Sequence, residues 1–362
     1  MPSVISIGLY KPPHEISQQE TVEFARELFH DSYHDIDRLL KVFSNGQIKK
    51  RNFTESLGWL KQDRSFEEKN NVYIERSITF GIEAIKSCLS DSVYLKRPVD
   101  YKQIDAIFFI STTGLSTPSI EAKIMNRLPF SPHTKRIPIW GLGCAGGASG
   151  LSRAFEYCKA FPESKVLVLT VELCSLTFQQ DDHSKSNLIG TSLFADGVAC
   201  ACVAGNDADL SNCKLETIPE IIDTQSTLMP DSEDVMGWNV KNSGLHVVFS
   251  KDIPSIIESW LKDNVYFFLK KQQLNLRDIS HFIAHPGGKK VIQAYEKALG
   301  FSEEMTRVSH TVLQNHGNMS SATLLYVLAE FMKSSKVSKG DFGLAAALGP
   351  GFSSELLLIK WR

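Results

Sequence analysis

The stretch Trp140-Gly-Leu-Gly-Cys-Ala-Gly-Gly-Ala-Ser-Gly150 governs how this chain of 362 residues is read. The apolar run that enters it, RIPIWGL, has the character of a buried strand, and the residues after it, over 145–161, have helical spacing. Between the two, small residues flank a single cysteine, Cys144. Such residues let backbone approach backbone and permit torsions that larger ones resist. A thiol at a helix start faces unpaired N–H groups and the positive end of the helix dipole. Both favour the thiolate, which is the nucleophilic form. The same N–H groups can hold an oxyanion. Cys144 is therefore a candidate nucleophile, the plainer alternative being a cysteine packed among glycines.

Outward from this turn the chain alternates. DAIFFIS, KVLVLTVEL, GVACACV, HFIAHP, FGLAAALG and ELLLIKW are apolar strand candidates. Helical spacing recurs over 253–272, 289–299 and 319–333. Strands alternating with helices imply an α/β fold with helix-covered sheets. The first hundred residues differ and read as mainly helical, with apolar periodicity over 18–43 and 65–89.

A weak internal repeat is visible. Phe109-Ile110 before Gly114 is matched by Phe282-Ile283 before Gly287, and Cys144-Ala-Gly-Gly-Ala-Ser by Asn318-Met-Ser-Ser-Ala, at almost equal offsets. GVACACV and FGLAAAL form a possible third pair at a different offset. Two copies of one unit would divide the chain into halves, 1–215 and 216–362. Packed about a pseudo-twofold axis, they would bring strand ends and helix starts together.

His285 ends the strand HFIAH and precedes Pro286-Gly287-Gly288. At a strand mouth, a histidine can project into a cleft. His246, His281 and His316 compete with it, His316 most strongly because it stands two residues from Asn318. Asn318, in Gln314-Asn-His-Gly-Asn-Met-Ser-Ser-Ala322, reads either as a helix N-cap or as an amide donor beside His285. Two neutral donors in one cleft can bind a developing enolate oxygen.

Composition narrows the classes. Hydrophobic residues make up 43% and charged residues 22%, which suits a globular protein with a sizeable core. A net charge of −2 offers no basic field for nucleic acid. The short basic run Lys49-Lys50-Arg51 reads as a solvated surface. Seven cysteines, irregularly spaced and without a CxxC pair, argue against a disulfide framework and against a metal site. The N-terminal MPSVISIGLYKPP does not read as a signal peptide, and no apolar run is long enough to span a bilayer. A cytoplasmic protein is the expectation.

Gly-Cys144-Ala-Gly-Gly, Ala-His285-Pro-Gly-Gly and Gly-Asn318-Met-Ser-Ser-Ala, in this order, resemble the type III polyketide synthases, the chalcone synthase-like enzymes, and among them the bacterial members that make alkylpyrones. The likeness runs along nearly the whole chain to Leu348-Gly-Pro-Gly-Phe352. It implies a thiolase fold, five-layered αβαβα from two duplicated halves, working as a homodimer. It places Cys144 as nucleophile with His285 and Asn318 as its catalytic partners. Phe194 falls at a gatekeeping position between CoA tunnel and cavity, Thr113 and Thr117 at the cavity and dimer contact, and Arg38 and Lys41 near the CoA phosphates. Cys174, Trp238, Val247, Gly190, Ser320 and the loop of Gly349 and Pro350 complete the expected substrate-binding set.

The sequence departs from the plant pattern at Val247 for a second phenylalanine, Cys174 for threonine, Trp238 for glycine, and Ala347-Leu348-Gly349-Pro350-Gly351 for a Gly-Phe-Gly-Pro-Gly loop. A plant-type aromatic starter is not implied. What the resemblance implies is an acyl-CoA starter, fatty acyl in kind, loaded on Cys144, extended with malonyl-CoA and released as an alkylpyrone, with no metal or redox cofactor. Two rivals share the scaffold. One is a ketoacyl-carrier-protein synthase III, which takes its extender from a carrier protein; the other is an acyl-binding protein without catalysis.

Overall fold

The computed structural model describes residues 1–29 and 35–362. In chain order its strands are β1 (Ser3–Tyr10), β2 (His14–Ser17), β3 (Lys50–Phe53), β4 (Ile104–Ile110), β5 (Lys135–Ile139), β6 (Lys165–Leu173), β7 (Asp196–Ala204), β8 (Pro219–Leu228), β9 (Met236–Lys241), β10 (Gly244–Phe249), β11 (Ile279–Ala284), β12 (Phe342–Gly349) and β13 (Ser353–Trp361). Nine of them form one sheet in the order β11-β12-β13-β8-β1-β7-β6-β4-β5. The seam between β8 and β1 is thin. It consists of the pair Ser3–Glu220 and one bond from Ile221 N–H to the Pro2 carbonyl, 2.8 Å.

On either side of that seam the same design appears twice. β4 runs parallel to β6, β6 antiparallel to β7, and β7 antiparallel to β1. β11 runs parallel to β12, β12 antiparallel to β13, and β13 antiparallel to β8. The duplication is therefore real as topology, with β5 added to the first copy. It also corrects one expected pair. GVACACV is β7 and corresponds to β13, whereas FGLAAALG is β12 and corresponds to β6, KVLVLTVEL. Two alanine-rich strands look alike because both are buried on both faces, not because they occupy like places.

Five layers result. The helices Gly146–Ala160 and Ala322–Lys333 touch strands of both copies and form the middle layer. All of Ala322–Lys333 but three residues is apolar, and nearly every side chain is buried, as a helix between two sheets requires. The helix Phe66–Ser90 covers β1, β6 and β7 on one outer face, and Ile253–Lys271 packs with Lys289–Leu299 on the other. One large apolar core fills the first copy and a second core the other.

The expected elements from β4 onward fall within a few residues of their places. The N-terminal region differs. The run over 18–43 contains two helices, Gln18–Phe29 and Ile36–Asn45, with 30–34 outside the described residues. The helix Phe66–Ser90 starts at a capping box, Ser65 with Glu68. β1, in a region expected to be mainly helical, is a central strand, and the β9–β10 hairpin and the helix Glu303–His316 carry no sequence-based expectation. β1 is buried on both faces and carries two serines, Ser3 and Ser6, so neither alternation nor an unbroken apolar run marks it.

Candidate active site

Cys144 sits in the tight 3₁₀ turn Gly143–Ala145 that joins β5 to the Gly146–Ala160 helix. This turn is pressed from two sides. A Cβ on Gly147 would stand 2.2 Å from the Ser321 carbonyl oxygen of the other half. A Cβ on Gly349 would stand 2.4 Å from the Leu142 carbonyl oxygen. Only glycine permits these approaches. They explain why the Gly349-Pro350 loop and the 318–321 turn both reach the cysteine.

The thiol is 7% exposed and 3.9 Å from Asn318 Oδ1, to which it donates. Asn318 Oδ1 also accepts from Ser320 N–H at 2.8 Å, and Asn318 Nδ2 donates to the Gly287 carbonyl at 3.0 Å. The amide thus ties the nucleophile turn to the His285-Pro286-Gly287 loop, and its second N–H is left over. It does not cap the Ala322–Lys333 helix, whose N-cap residue is Ser321. Ser320 takes a left-handed φ of 48°, a costly torsion for a residue with a side chain.

His285 follows β11, fixed by its N–H to the Ala346 carbonyl, 2.8 Å. Its ring is 2% exposed, and neither Nδ1 nor Nε2 has a hydrogen-bond partner among the described residues. Such buried, unpaired polar atoms cost about 1–3 kcal/mol each. Burial lowers the imidazole to about 3, so it is neutral at pH 7 and free to accept or donate one hydrogen bond. Burial also pushes the Cys144 thiol up to about 12, against the lowering effect of its bonds to Ser320 and Asn318. Desolvation thus works against the thiolate that the helix start favours.

A cavity of about 40 Å³ lies beside Cys174, the neighbour of Cys144. Its walls include Cys174, Gly190, Phe194, Trp238 and Val247, five of the expected residues, and beyond them Phe24, Phe53, Leu60 and Phe178. Cys174 is close enough to Cys144 that charge on one raises the other's proton affinity. Phe194 stacks obliquely on Trp238 at 6.0 Å and on Phe249 at 5.5 Å.

Two family models cover this architecture. Residues 2–208 match the N-terminal domain of the chalcone and stilbene synthases, and residues 220–361 match the C-terminal domain. The chain belongs to the chalcone and stilbene synthase family. A putative chalcone synthase of Bacillus subtilis (strain 168) is 55% identical over 362 residues, covering 100% of this chain and 99% of that one. The 1,3,6,8-tetrahydroxynaphthalene synthase of Streptomyces peucetius subsp. caesius is 32% identical, covering 99% and 93%. In structure, the tetrahydroxynaphthalene synthase of Streptomyces coelicolor A3(2), a bacterial type III polyketide synthase, superposes with a TM-score of 0.92 at 28% identity over 99% of both chains. The fold is thus the thiolase fold of type III polyketide synthases, which are acyl-condensing transferases acting on CoA thioesters without a further cofactor.

In this synthase the remaining expected residues are scattered. Thr113 is buried behind the cavity, where its Oγ1 accepts from Leu173 N–H at 2.9 Å. Thr117 is exposed, beside exposed Leu115 and preceding Pro118 through a cis peptide bond. Arg38 and Lys41 are exposed on the Ile36–Asn45 helix and line none of the cavities near Cys144. The competing histidines are engaged elsewhere. His281 pairs with Asp341 at 2.8 Å, His246 bridges Ser243 and Asp182, and the His316 ring lies against Tyr326.

Sequence reading passed over a buried carboxylate. Glu172, at the end of β6, accepts from Ser321 Oγ at 2.5 Å and Thr112 N–H at 3.1 Å, while Thr112 Oγ1 accepts from Gly143 N–H at 3.0 Å. The chain Gly143–Thr112–Glu172–Ser321 thereby laces the nucleophile turn to the other half. Burial raises Glu172 to about 7. The signal was present in KVLVLTVEL: one acid inside an otherwise apolar strand.

No helix among the described residues is long and apolar enough to cross a membrane.

Proposed function

We propose that this synthase loads a fatty acyl group from acyl-CoA onto Cys144, extends it with malonyl-CoA and releases an alkylpyrone. The observation that carries the reading is His285: a buried, neutral ring with both nitrogens unpaired, beside the loop that Asn318 holds. Such a group is complete only when a substrate atom meets it.

The steps follow from the groups present. Cys144 passes its proton to His285, and the sulfur attacks the starter thioester, breaking its C–S bond and releasing CoA. Malonyl-CoA then places its thioester oxygen between His285 and the free N–H of Asn318. Loss of CO₂ leaves an enolate on that oxygen, where fixed donors in a dry site act most strongly. The enolate carbon attacks the acyl-Cys144 carbonyl, the C–S bond to Cys144 breaks, and the chain, two carbons longer, is left on CoA and passes back to the freed thiolate for the next cycle. After further cycles an enol oxygen attacks the terminal thioester and closes the pyrone.

An aliphatic starter is supported by the walls of the cavity, which are mostly apolar, with Phe24, Phe53, Leu60 and Phe178 among them. Each buried CH₂ contributes about 0.8 kcal/mol. The cavity has room for only about three waters, so a long chain needs more space than it offers. We further take the synthase to be a cytoplasmic homodimer built of halves 1–215 and 216–362, with exposed Leu115 and Trp140 beside Thr117 in the dimer contact. Arg38 and Lys41 would meet the CoA phosphates.

A second reading has its own support, since three relatives are by name tetrahydroxynaphthalene synthases. One assay separates the readings. Purified protein is given malonyl-CoA with and without a panel of fatty acyl-CoAs, and products are identified by mass. Alkylpyrones that track the starter are expected. A naphthalene product from malonyl-CoA alone, or condensation only with malonyl-carrier protein, would overturn the starter assignment.

A further inference from the structure

Arg51 was expected on a solvated basic run, and the fold puts it in the core. It is fully buried, among the largest such side chains in the molecule, and no carboxylate bonds to it among the described residues. Its guanidinium instead meets main-chain carbonyls. Nη1 donates to Thr191 O at 3.1 Å and Phe194 O at 3.0 Å, and Nη2 to Ser192 O at 2.9 Å and Gln18 Oε1 at 2.5 Å. These carbonyls end the Lys185–Leu193 helix, where orphan acceptors and the negative end of the dipole suit a cation.

The same segment is bonded from its other side by Asn318. Asn318 N–H donates to Leu193 O at 2.9 Å, and Ala195 N–H donates to Asn318 O at 2.9 Å. Arg51 therefore holds the carbonyls of 191, 192 and 194, while the Asn318 backbone holds 193 and 195. Removing the guanidinium leaves three buried acceptors without partners, and the strand of backbone that fixes Asn318 loses its anchor.

We propose that Arg51 is a positioning residue of the condensing reaction, acting through residues 191–195 to fix the amide of Asn318. The proposal rests on the functional reading above. Only the planar fork of arginine spans three carbonyls; the single ammonium of lysine does not. Loss of the fork thus disturbs the malonyl half-reaction, which needs Asn318, and spares transfer of the starter to Cys144, which does not.

The test compares the wild-type protein with Arg51→Gln and, should that variant not fold, Arg51→Lys. Two rates are read on each: acylation of Cys144 by acyl-CoA, from intact mass, and CO₂ release from malonyl-CoA. Thermal unfolding and circular dichroism establish that the variant is folded. The expected result is CO₂ release reduced at least about tenfold with acylation within about threefold of wild type. Equal losses in both rates, or no loss in either, would overturn the role of Arg51 alone. A wild-type protein that neither takes an acyl group on Cys144 nor releases CO₂ would overturn the functional reading, and this proposal with it.

Discussion

Cys144 Sγ stands 3.9 Å from Asn318 Oδ1, although 174 residues separate them in the chain. Each belongs to the turn that opens one of the two middle helices, in equivalent places of the two copies. The Ser321 carbonyl presses against Gly147, and Glu172 bonds Ser321 and Thr112 at once, so neither turn can shift without the other.

Replacing Cys144 with alanine should abolish product from acyl-CoA and malonyl-CoA. In the proposed reaction the thiol carries the acyl group, and the alanine variant should stay folded because the side chain fills a small apolar space. Pyrone at wild-type yield, measured by mass spectrometry, would refute the nucleophile.

His285→Leu should separate stability from activity. The ring nitrogens are buried and unpaired, so an apolar side chain of similar size relieves a penalty of about 1–3 kcal/mol. We expect a higher Tm together with CO₂ release from malonyl-CoA lowered by about 100-fold or more. A lower Tm would mean that the nitrogens have partners in solution.

Val247 faces Gly190 across the cavity, its Cγ1 3.3 Å from where a Cβ on Gly190 would lie. Val247→Phe should therefore shift preference to shorter starters, and Trp238→Gly to longer ones. The expected change is about fourfold in kcat/KM per CH₂ gained or lost. An unchanged starter profile in both variants would remove this cavity from substrate binding.

Glu172 supplies the pH dependence. Its folded-state value is raised to about 7 from 4.5, so the folded protein binds the proton more tightly than the unfolded chain. The stability this gives is complete below pH 4.5 and is lost as pH rises through 7, by up to about 3 kcal/mol. Asp196, raised to about 6 by burial, acts in the same sense. Wild-type Tm should fall between pH 5 and pH 8, and Glu172→Gln should flatten that fall. Parallel Tm profiles for the two proteins would show that Glu172 ionises without cost.

Much of the fold was legible because its strands are continuous apolar runs and its inner helices begin at Gly-rich turns, signals confined to a few neighbouring residues. β1 escaped because a strand buried on both faces with two serines has no periodic mark. The catalytic candidates were legible for the same local reason: Cys144, His285 and Asn318 each stand where a strand or turn meets a helix.

What the sequence determined by itself was the set of reactive groups and the alternation that makes two like halves. The tertiary structure decided how those groups behave. Burial that pushes the Cys144 thiol up, raises Glu172 and leaves the His285 ring without a partner among the described residues depends on segments far apart in the chain. Arg51 is the plainest case. In the run Lys49-Lys50-Arg51 its charge reads as surface, and only the packing of a helix end and the Asn318 turn around it makes the core its place.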